Sequence, residues 1–473
     1  MILTIDSMLH LKDAPALLKN LIKAELTIKN PDYIKKMRMG LNRFVCGPEY
    51  IKLWKEEDGV LTLPRGYYAR LYEIAGQDLQ ISDTRVLCEY IEFPRMPKLR
   101  DYQSPALELA RAWQQGCIIM PCGAGKTTTA MGITAELMQP TLWITHTMDL
   151  LNQSMKCAID NLGLTGHQIG LIQADTMTIG THMTFATVQT LSRRDLSAIK
   201  DKFGCVIVDE SHLVYKDAAK ARMFESVISQ FPAHYRFGLT ASEFRSDGLI
   251  ETMFHVIGPK FYEVPQDDPR LKVVTPTVEF IETDFQYDQG TDDDGEKKML
   301  SVQQMYQAMR EDALRDRVIL SILAKQEPGD STLVLGHSLD HLENLLERIS
   351  DYFGTQYEYR FINGTTKRSE REAAIKDMRE GKAHFLFATY QLAKLGLDIP
   401  RLNKLVLATP VKDKTSIQQS VGRIMRPFEG KGKPTVYDIY DSRVPVLRNW
   451  ARERVRVYRS LGCEIYGGPK VRK

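Results

Sequence analysis

Met120–Pro121–Cys122–Gly123–Ala124–Gly125–Lys126–Thr127–Thr128 is the stretch on which the fold turns. The apolar run Cys117–Ile118–Ile119–Met120 before it has the pattern of a strand buried on both faces. The run from Thr127 to Met138 after it is compatible with a helix. Strand, glycine-rich turn and helix are the parts that a nucleoside triphosphate site needs. Gly123 and Gly125 let the backbone approach phosphate oxygens, with Ala124 between them. The helix start adds unpaired N–H donors and a positive dipole end. Lys126 is placed to reach the β- and γ-phosphates, with Thr128 beside it, and the Thr127 hydroxyl to bind Mg²⁺. The strict spacing G-x-x-x-x-G-K-[ST] is not met, because Met120 stands where its first glycine would fall. A turn of the form x-x-G-x-G-K-T still keeps the nest of amides.

From Cys117 to about residue 265 the pattern alternates between strand and helix. The expected strands are Cys117–Pro121, Thr141–Thr145, Met183–Thr187, Cys205–Glu210 and Arg236–Ser242. Such alternation predicts an open parallel sheet with helices on both faces and ligand sites at the C-terminal strand ends. In Cys205–Val206–Ile207–Val208–Asp209–Glu210–Ser211–His212 two carboxylates emerge at the end of an apolar strand. Asp209 is expected to hold Mg²⁺ through water, and Glu210 to orient and polarise an attacking water. His212 is a candidate for coupling the site to a neighbouring element. Thr240 and Ser242, at the next strand end, are candidates for linking it to a second domain. Upstream, Leu99–Arg100–Asp101–Tyr102–Gln103 reads as a helix start. The Gln103 amide carries both a donor and an acceptor for an adenine edge.

A second alternating block follows a long amphipathic helix expected from Met299. Its expected strands are Ser331–Gly336, Tyr359–Asn363, His384–Thr389, Lys404–Thr409 and Thr435–Tyr440. It has no phosphate turn, so it is expected to press against the first block and complete that site. Its candidates are Gly396, Asp398 and the run Gln418–Gln419–Ser420–Val421–Gly422–Arg423–Ile424–Met425–Arg426–Pro427. Arg423 and Arg426 are three apart and expected on one helical face, where guanidinium groups can stabilise charge on a transferring phosphoryl.

A chain of 473 residues is too long for one core, so two to four domains are expected. Hydrophobic content of 43% with 26% charged residues describes a soluble globular protein, and a net charge of +3 does not by itself announce nucleic acid. The seven cysteines are odd in number and form no C-x-x-C pair, which argues against a disulfide framework or a zinc site and fits a reducing compartment. The first residues lack a signal-peptide layout, and no apolar run approaches ~18 residues. A cytoplasmic protein of a bacterium or phage-infected host is expected, with a nuclear or viral setting left open.

Residues 1–95 carry no catalytic motif. Leu9–Leu26 reads as helix. Basic and aromatic residues interleave: Lys35, Lys36, Arg38, Arg43, Phe44, Tyr50, Trp54, Arg65, Tyr67, Tyr68 and Arg70. The mixture suits phosphate contact with base stacking, and equally an α+β accessory domain whose aromatics are core. Phe93–Pro94–Arg95–Met96–Pro97 reads as a linker. Acidic residues near 283–298 lack EF-hand spacing and read as a solvated loop. The C-terminus is basic, and Arg452, Arg456 and Arg459 share a helical face suited either to a polyanion or to solvent.

Taken in order, these motifs resemble those of superfamily 2 helicases. The set is Arg100–Tyr102–Gln103, Gly123–Thr127, Thr145–Gln153, Thr187–Leu191, Asp209–His212, Thr240–Ser242, Leu333–Ser338, Ala388–Pro400 and Gln419–Arg426. The Asp–Glu–Ser–His form is similar to the DExH type. Arg100–Gln103, Gly396–Pro400 and Gln418–Pro427 are similar to XPB-like and UvsW-like DNA helicases, and Leu63–Tyr68 resembles the small N-terminal domain of the phage and poxvirus members. Ser242–Glu243 and Gln418–Gln419 depart from the common forms.

The resemblance implies two tandem RecA-like α/β domains, closing on ATP and Mg²⁺ and stepping along a strand, with a small N-terminal α+β domain. The segments expected are 1–95 accessory, 96–270 ATP-binding, 271–300 acidic linker, 301–445 helicase C-terminal and 446–473 basic tail. It implies nucleic-acid phosphate contacts at Thr145, His146, Thr187, Ser338 and Thr389, nucleotide contacts at Arg100, Gly396 and Asp398, and coupling through Gln419. The expected partner is single-stranded, forked or branched DNA, in replication, recombination or repair, acted on by a monomer or weak oligomer without membrane contact. RNA as substrate, an ATP-gated scaffold without unwinding, and the motor subunit of a restriction system stand as rivals. No PD…(D/E)xK nuclease pattern is present in support of the last.

Overall fold

The computed structural model describes residues 1–473 apart from 39, 41–46, 122, 174–175, 212–217, 242–249, 267, 272–273, 289–300, 395–396 and 471–473. The expected sites His212, Ser242 and Gly396, the basic and aromatic candidates Arg43 and Phe44, and residues 289–300 of the acidic linker lie outside the described residues. The chain forms two compact units, Met1–Pro265 and Gln266–Lys473.

The first unit holds an eight-stranded sheet. Its order is Thr176–Thr178, Ile169–Gln173, Met183–Thr187, Thr141–Thr145, Cys205–Val208, Tyr235–Thr240, Gln115–Ile119 and Lys260–Glu263. Every neighbouring pair is parallel except the first, which is antiparallel. The central strands are buried along their whole length, as continuous apolar runs require. The second unit holds a seven-stranded sheet, parallel throughout, in the order Tyr359–Ile362, Phe385–Thr389, Thr332–Gly336, Lys404–Leu407, Thr435–Tyr440, Thr277–Glu282 and Glu464–Tyr466. Both are mixed α/β architectures with the RecA-like parallel sheet.

Several expectations need correction. The run from Leu9 to Leu26 is not one helix: Met8–Lys12 is a strand with alternating burial, and the helix is Ala16–Glu25. The amphipathic helix expected from Met299 is two helices, Val302–Glu311 and Ala313–Leu323. They are divided at Asp312, whose carboxylate accepts the N–H groups of Leu314 and Arg315, both at 2.9 Å. The helix expected from Leu99 begins at Pro105. The basic C-terminus is no loose tail: Pro445–Ser460 is a helix, and Glu464–Tyr466 adds a parallel strand to the sheet.

The N-terminal domain is a five-stranded sheet ordered Lys55–Glu57, Val60–Pro64, Met8–Lys12, Ile2–Ile5 and Gln80–Asp83, with its own core of Leu3, Leu9, Leu11, Leu61, Leu63 and Tyr67. It is pinned to the eight-stranded domain by buried arginines. Arg65, with no exposure, donates to Gln115 Oε1 at 2.8 Å and to the Ala233 carbonyl at 2.6 Å. Arg236 donates to the carbonyls of Ser7 (3.0 Å), Ile228 (3.2 Å) and Phe231 (3.1 Å). Arg65 and Tyr67 therefore face the domain junction and not a nucleic acid, and Tyr67 meets the His255 ring edge-on at 5.6 Å. The segment after this domain is also held: Val86 bridges to Ala233, and the Cys88 N–H donates to Gln139 Oε1 at 2.9 Å.

Candidate nucleotide site

The phosphate turn leaves the buried Gln115–Ile119 strand and enters the Lys126–Leu137 helix. Gly123 and Gly125 stand at φ 82° and 84°, a conformation that side chains with a Cβ rarely adopt. Gly125 has a second reason to be glycine: a Cβ there would lie 2.5 Å from Gln103 Nε2. Gln103, 2% exposed, donates through that nitrogen to the carbonyls of Ala124 and Gly125, both at 3.1 Å, and its Oε1 accepts the Arg100 N–H at 2.8 Å. Tyr102 donates its hydroxyl to the Ala124 carbonyl at 3.1 Å. Both ends of the Gln103 amide are thus committed to backbone. Its place is as a brace under the turn, and reading adenine would draw on the remaining Oε1 lone pair.

Lys126 is half-buried, and its ammonium makes one long contact, 3.4 Å, to the Met120 carbonyl. Thr127 and Thr128 sit half-buried in the first turn of the helix. Asp209 follows the Cys205–Val208 strand at the same C-terminal edge, 5% exposed. Its Oδ1 accepts the Glu210 N–H at 2.9 Å and its Oδ2 the Ser154 hydroxyl at 3.4 Å. Burial, and then the neighbouring Glu210 charge, push the Asp209 carboxyl well above the usual carboxylate range, while the Lys126 cation pulls it back. Glu210 stands at φ 49°, a left-handed turn that redirects the chain as it leaves the sheet. Between the two loops lies the Tyr235–Thr240 strand. The Thr240 carbonyl accepts the Met120 N–H at 3.0 Å, and the Leu239 carbonyl accepts the Ser211 hydroxyl at 3.1 Å. One strand end therefore touches both the phosphate turn and the acidic turn.

These groups fit Mg²⁺ and a triphosphate. The buried Asp209 carboxyl is costly to ionise until a cation meets it, and the Thr127 hydroxyl is a second hard oxygen. Among the described residues no group of three or more His, Cys, Asp or Glu could hold a metal. Mg²⁺ needs none, since it binds through one or two protein groups plus phosphates and water.

The expected nucleic-acid contacts divide. Thr145 is fully buried and donates to the Thr147 carbonyl at 3.0 Å, so its hydroxyl cannot meet a phosphate. Thr187 is 5% exposed and caps the following short helix, accepting the Thr190 N–H at 3.3 Å. Both hydroxyls hold the loops in place instead. His146, Ser338 and Thr389 are half-buried at strand ends, and Ser338 also caps its helix.

In the second unit the Lys414–Ile424 helix, capped by Asp413, carries Gln419 and Arg423. Arg426 lies past its end, so the two arginines do not share one helical face as expected. Arg426 is ion-paired with Asp398, which also accepts Arg379 at 2.7 Å. Asp398 is thereby an anchor of Arg426. The sequence reading missed Lys431. Its ammonium donates to the carbonyls of Pro400 (3.2 Å), Ile424 (2.7 Å) and Arg426 (2.8 Å), tying the Asp398 loop to the end of the arginine helix. Burial, and then the Arg426 charge, pull its pKa down to about 8. Nothing in the local run Glu429–Gly430–Lys431–Gly432–Lys433 marks one lysine of the two as buried.

Residues 96–245 match the family described as Type III restriction enzyme, res subunit, and residues 313–427 the Helicase conserved C-terminal domain. The DNA 3'-5' helicase XPB of Mycobacterium tuberculosis is 29% identical over 354 residues, 72% of this chain and 60% of the relative. Probable helicase D10 of Escherichia phage T5 is 24% identical over 393 residues, 83% of this chain and 82% of the relative. Among solved structures, S. cerevisiae Dbp5 bound to RNA and ADP BeF3 superposes with a TM-score of 0.55 at 15% identity, over 78% of this chain and 90% of that one, a likeness of fold alone. The chain spans 60% of the length of the mycobacterial relative. The chain thus carries a restriction-enzyme res-subunit segment followed by a helicase C-terminal segment. Its similarity to these XPB and phage helicases lies below 30% identity.

Proposed function

We propose that the chain is an ATP-dependent DNA helicase or translocase that tracks 3' to 5' and acts on forked or branched DNA. The observation that carries this reading is the joint placement of Lys126 and Asp209 at one edge of one sheet. A cation and a buried carboxyl there feel each other's charge on either side of the strand that would sense the nucleotide. The names of the XPB relatives supply the DNA and the direction.

In this reading the amides of the Gly123–Gly125 turn and the Lys126 ammonium hold the β- and γ-phosphates. Thr127 and Asp209 would hold Mg²⁺, which would supply charge neutralisation on the phosphates. Glu210 takes the proton of the attacking water. Arg423 and Arg426 stabilise the charge on the transferring group. The test is ATP turnover with no nucleic acid, single-stranded DNA, single-stranded RNA, a fork and a four-way junction, followed by strand separation on the DNA substrates with each polarity of overhang. Stimulation by DNA forks and junctions above RNA is expected. Stimulation by RNA alone would replace the DNA reading, and no stimulation by any of them would favour an ATP-gated scaffold.

Lys431 enters here as a positioning residue for Arg426. Lys431→Met is expected to lower turnover about tenfold with little change in KM for ATP, because the phosphate turn is untouched. Lys431→Arg, which keeps a cation, should retain most of the rate. The sign with pH follows from the lowered pKa. Below about 8 the folded chain keeps the ammonium, and above it the three carbonyls lose their charged donor. Turnover should fall above pH 8 in the parent protein and hold to higher pH in Lys431→Arg. Matching alkaline limbs would remove Lys431 from this role.

A further inference from the structure

We propose that the outward face of the Pro445–Ser460 helix is a docking surface for the phosphate backbone of duplex nucleic acid, formed by Arg448, Arg452, Arg456 and Arg459. The inference rests on the nucleic-acid reading above and adds a contact away from the strand-end loops.

The helix sorts its five arginines by direction. Arg454 alone turns inward, where it grips Asp438 with two bonds of 2.7 Å, and the Tyr458 hydroxyl donates to the same carboxylate at 2.7 Å. Leu447, Trp450, Ala451, Val455 and Val457 are buried on that side. The inner face is therefore locked to the sheet, and the outer one cannot roll. Arg448, Arg452, Arg456 and Arg459 are all exposed. At 3.6 residues per turn they fall within an arc of about 80° and along about 16 Å of axis.

Glu453 is the only acidic residue of the helix. It is shared between Arg456 and, at 3.1 Å, Lys414 of the arginine-bearing helix. Within the helix this sets one carboxylate against four outward arginines, in a chain whose formal net charge is only +3. Arginine also suits phosphate better than lysine does, because its planar fork donates two parallel bonds.

A duplex fits this row better than a single strand. Non-specific single-strand sites pair cations with aromatic rings on which bases stack. Here Trp450 (8% exposed) and Tyr458 (0%) both point inward, and no aromatic on the helix is left for stacking. A straight, rigid row about 16 Å long can lie alongside a duplex, whose two strands together present one charge per roughly 1.7 Å of axis.

The experiment compares the full chain with the variant R448Q/R452Q/R456Q/R459Q, binding a blunt duplex and a single strand of equal length across a salt series. The four side chains are exposed, so the melting temperature should hold and report folding. For the duplex, the slope of log K against log salt is expected to flatten by about 3 to 4, at about 0.9 per phosphate. Duplex affinity at low salt should fall at least about tenfold. The single-strand slope should change by less than about 1. Equal duplex slopes in the two proteins, with single-strand binding intact, would overturn this inference and leave the helicase reading standing. Absence of binding to either nucleic acid would overturn both. Tighter binding of wild type to polyglutamate than to duplex, lost in the variant, would assign the face to an acidic protein and also overturn the inference.

Discussion

Lys126→Ala is expected to lower ATP turnover by at least about a hundredfold to a thousandfold, the loss that follows removal of one preorganised donor to developing charge. It should leave the melting temperature within about 1 °C. The fold loses little because the Lys126 ammonium makes only the 3.4 Å contact to the Met120 carbonyl, and alanine is at least as good a helix former. The chemistry loses twice. The charge that would meet the β- and γ-phosphates is gone. So is the cation that pulls the Asp209 carboxyl down against burial and Glu210. Without it Asp209 holds its proton more firmly and is a poorer partner for Mg²⁺. Lys126→Ala should therefore weaken the Mg²⁺ dependence of nucleotide binding as well as turnover, a double signature that loss of phosphate contact alone would not give. Turnover within tenfold of the parent, in a folded variant, would remove the phosphate turn from the mechanism.

Much of this was legible because strands buried on both faces write themselves as unbroken apolar runs. Thr141–Thr145, Met183–Thr187 and Thr435–Tyr440 begin and end where the pattern places them. The acidic turn was legible for the same reason: in Cys205–Val208 the apolar run stops and Asp209 begins. Half-exposed strands are harder. Met8–Lys12 buries only Leu9 and Leu11, and those leucines, followed by Leu17, Leu18 and Leu21, equally suit a helical stripe. Side-chain direction was the least legible property. Arg65 sits among aromatics in a basic stretch and reads as a surface group. Its acceptors, Gln115 and the Ala233 carbonyl, come from far along the chain and exist only once the two domains have met. Lys431 and Arg454 repeat the point. A cation bound to carbonyls or to a buried carboxylate looks, in sequence, like any other cation. Thr145 and Thr187 failed in the opposite direction, since hydroxyls at strand ends serve turns and caps as readily as ligands.

The junction that Arg65 makes should be most sensitive one residue further on. Gly66→Ala is expected to destabilise the first unit by about 3 kcal/mol, at the upper end of overpacking effects. A Cβ on Gly66 would lie 2.3 Å from the Phe254 carbonyl oxygen, 2.5 Å from that of His255 and 2.6 Å from the Gly258 nitrogen. All three are backbone atoms, and the Ile250–Ile257 helix that carries two of them packs into the core through Met253, Val256 and Ile257. No side chain can rotate away to make room, so either that helix shifts or the N-terminal sheet lifts off. Lifting is the softer route. It would carry Arg65 away from Gln115 and Ala233 and leave those buried acceptors unpaired. Gly59→Ala is the control. Gly59 stands at φ 78°, and a Cβ added there would meet nothing within 4 Å, so its cost is backbone strain alone, about 1 kcal/mol. A thermal melt of the two variants should give a drop several degrees larger for Gly66→Ala. Limited proteolysis should cut that variant faster in residues 84–95, where the chain runs along the junction, while Gly59→Ala keeps the parent's pattern. Equal melting temperatures and equal cleavage would mean that the N-terminal sheet is not seated on the eight-stranded domain through this turn.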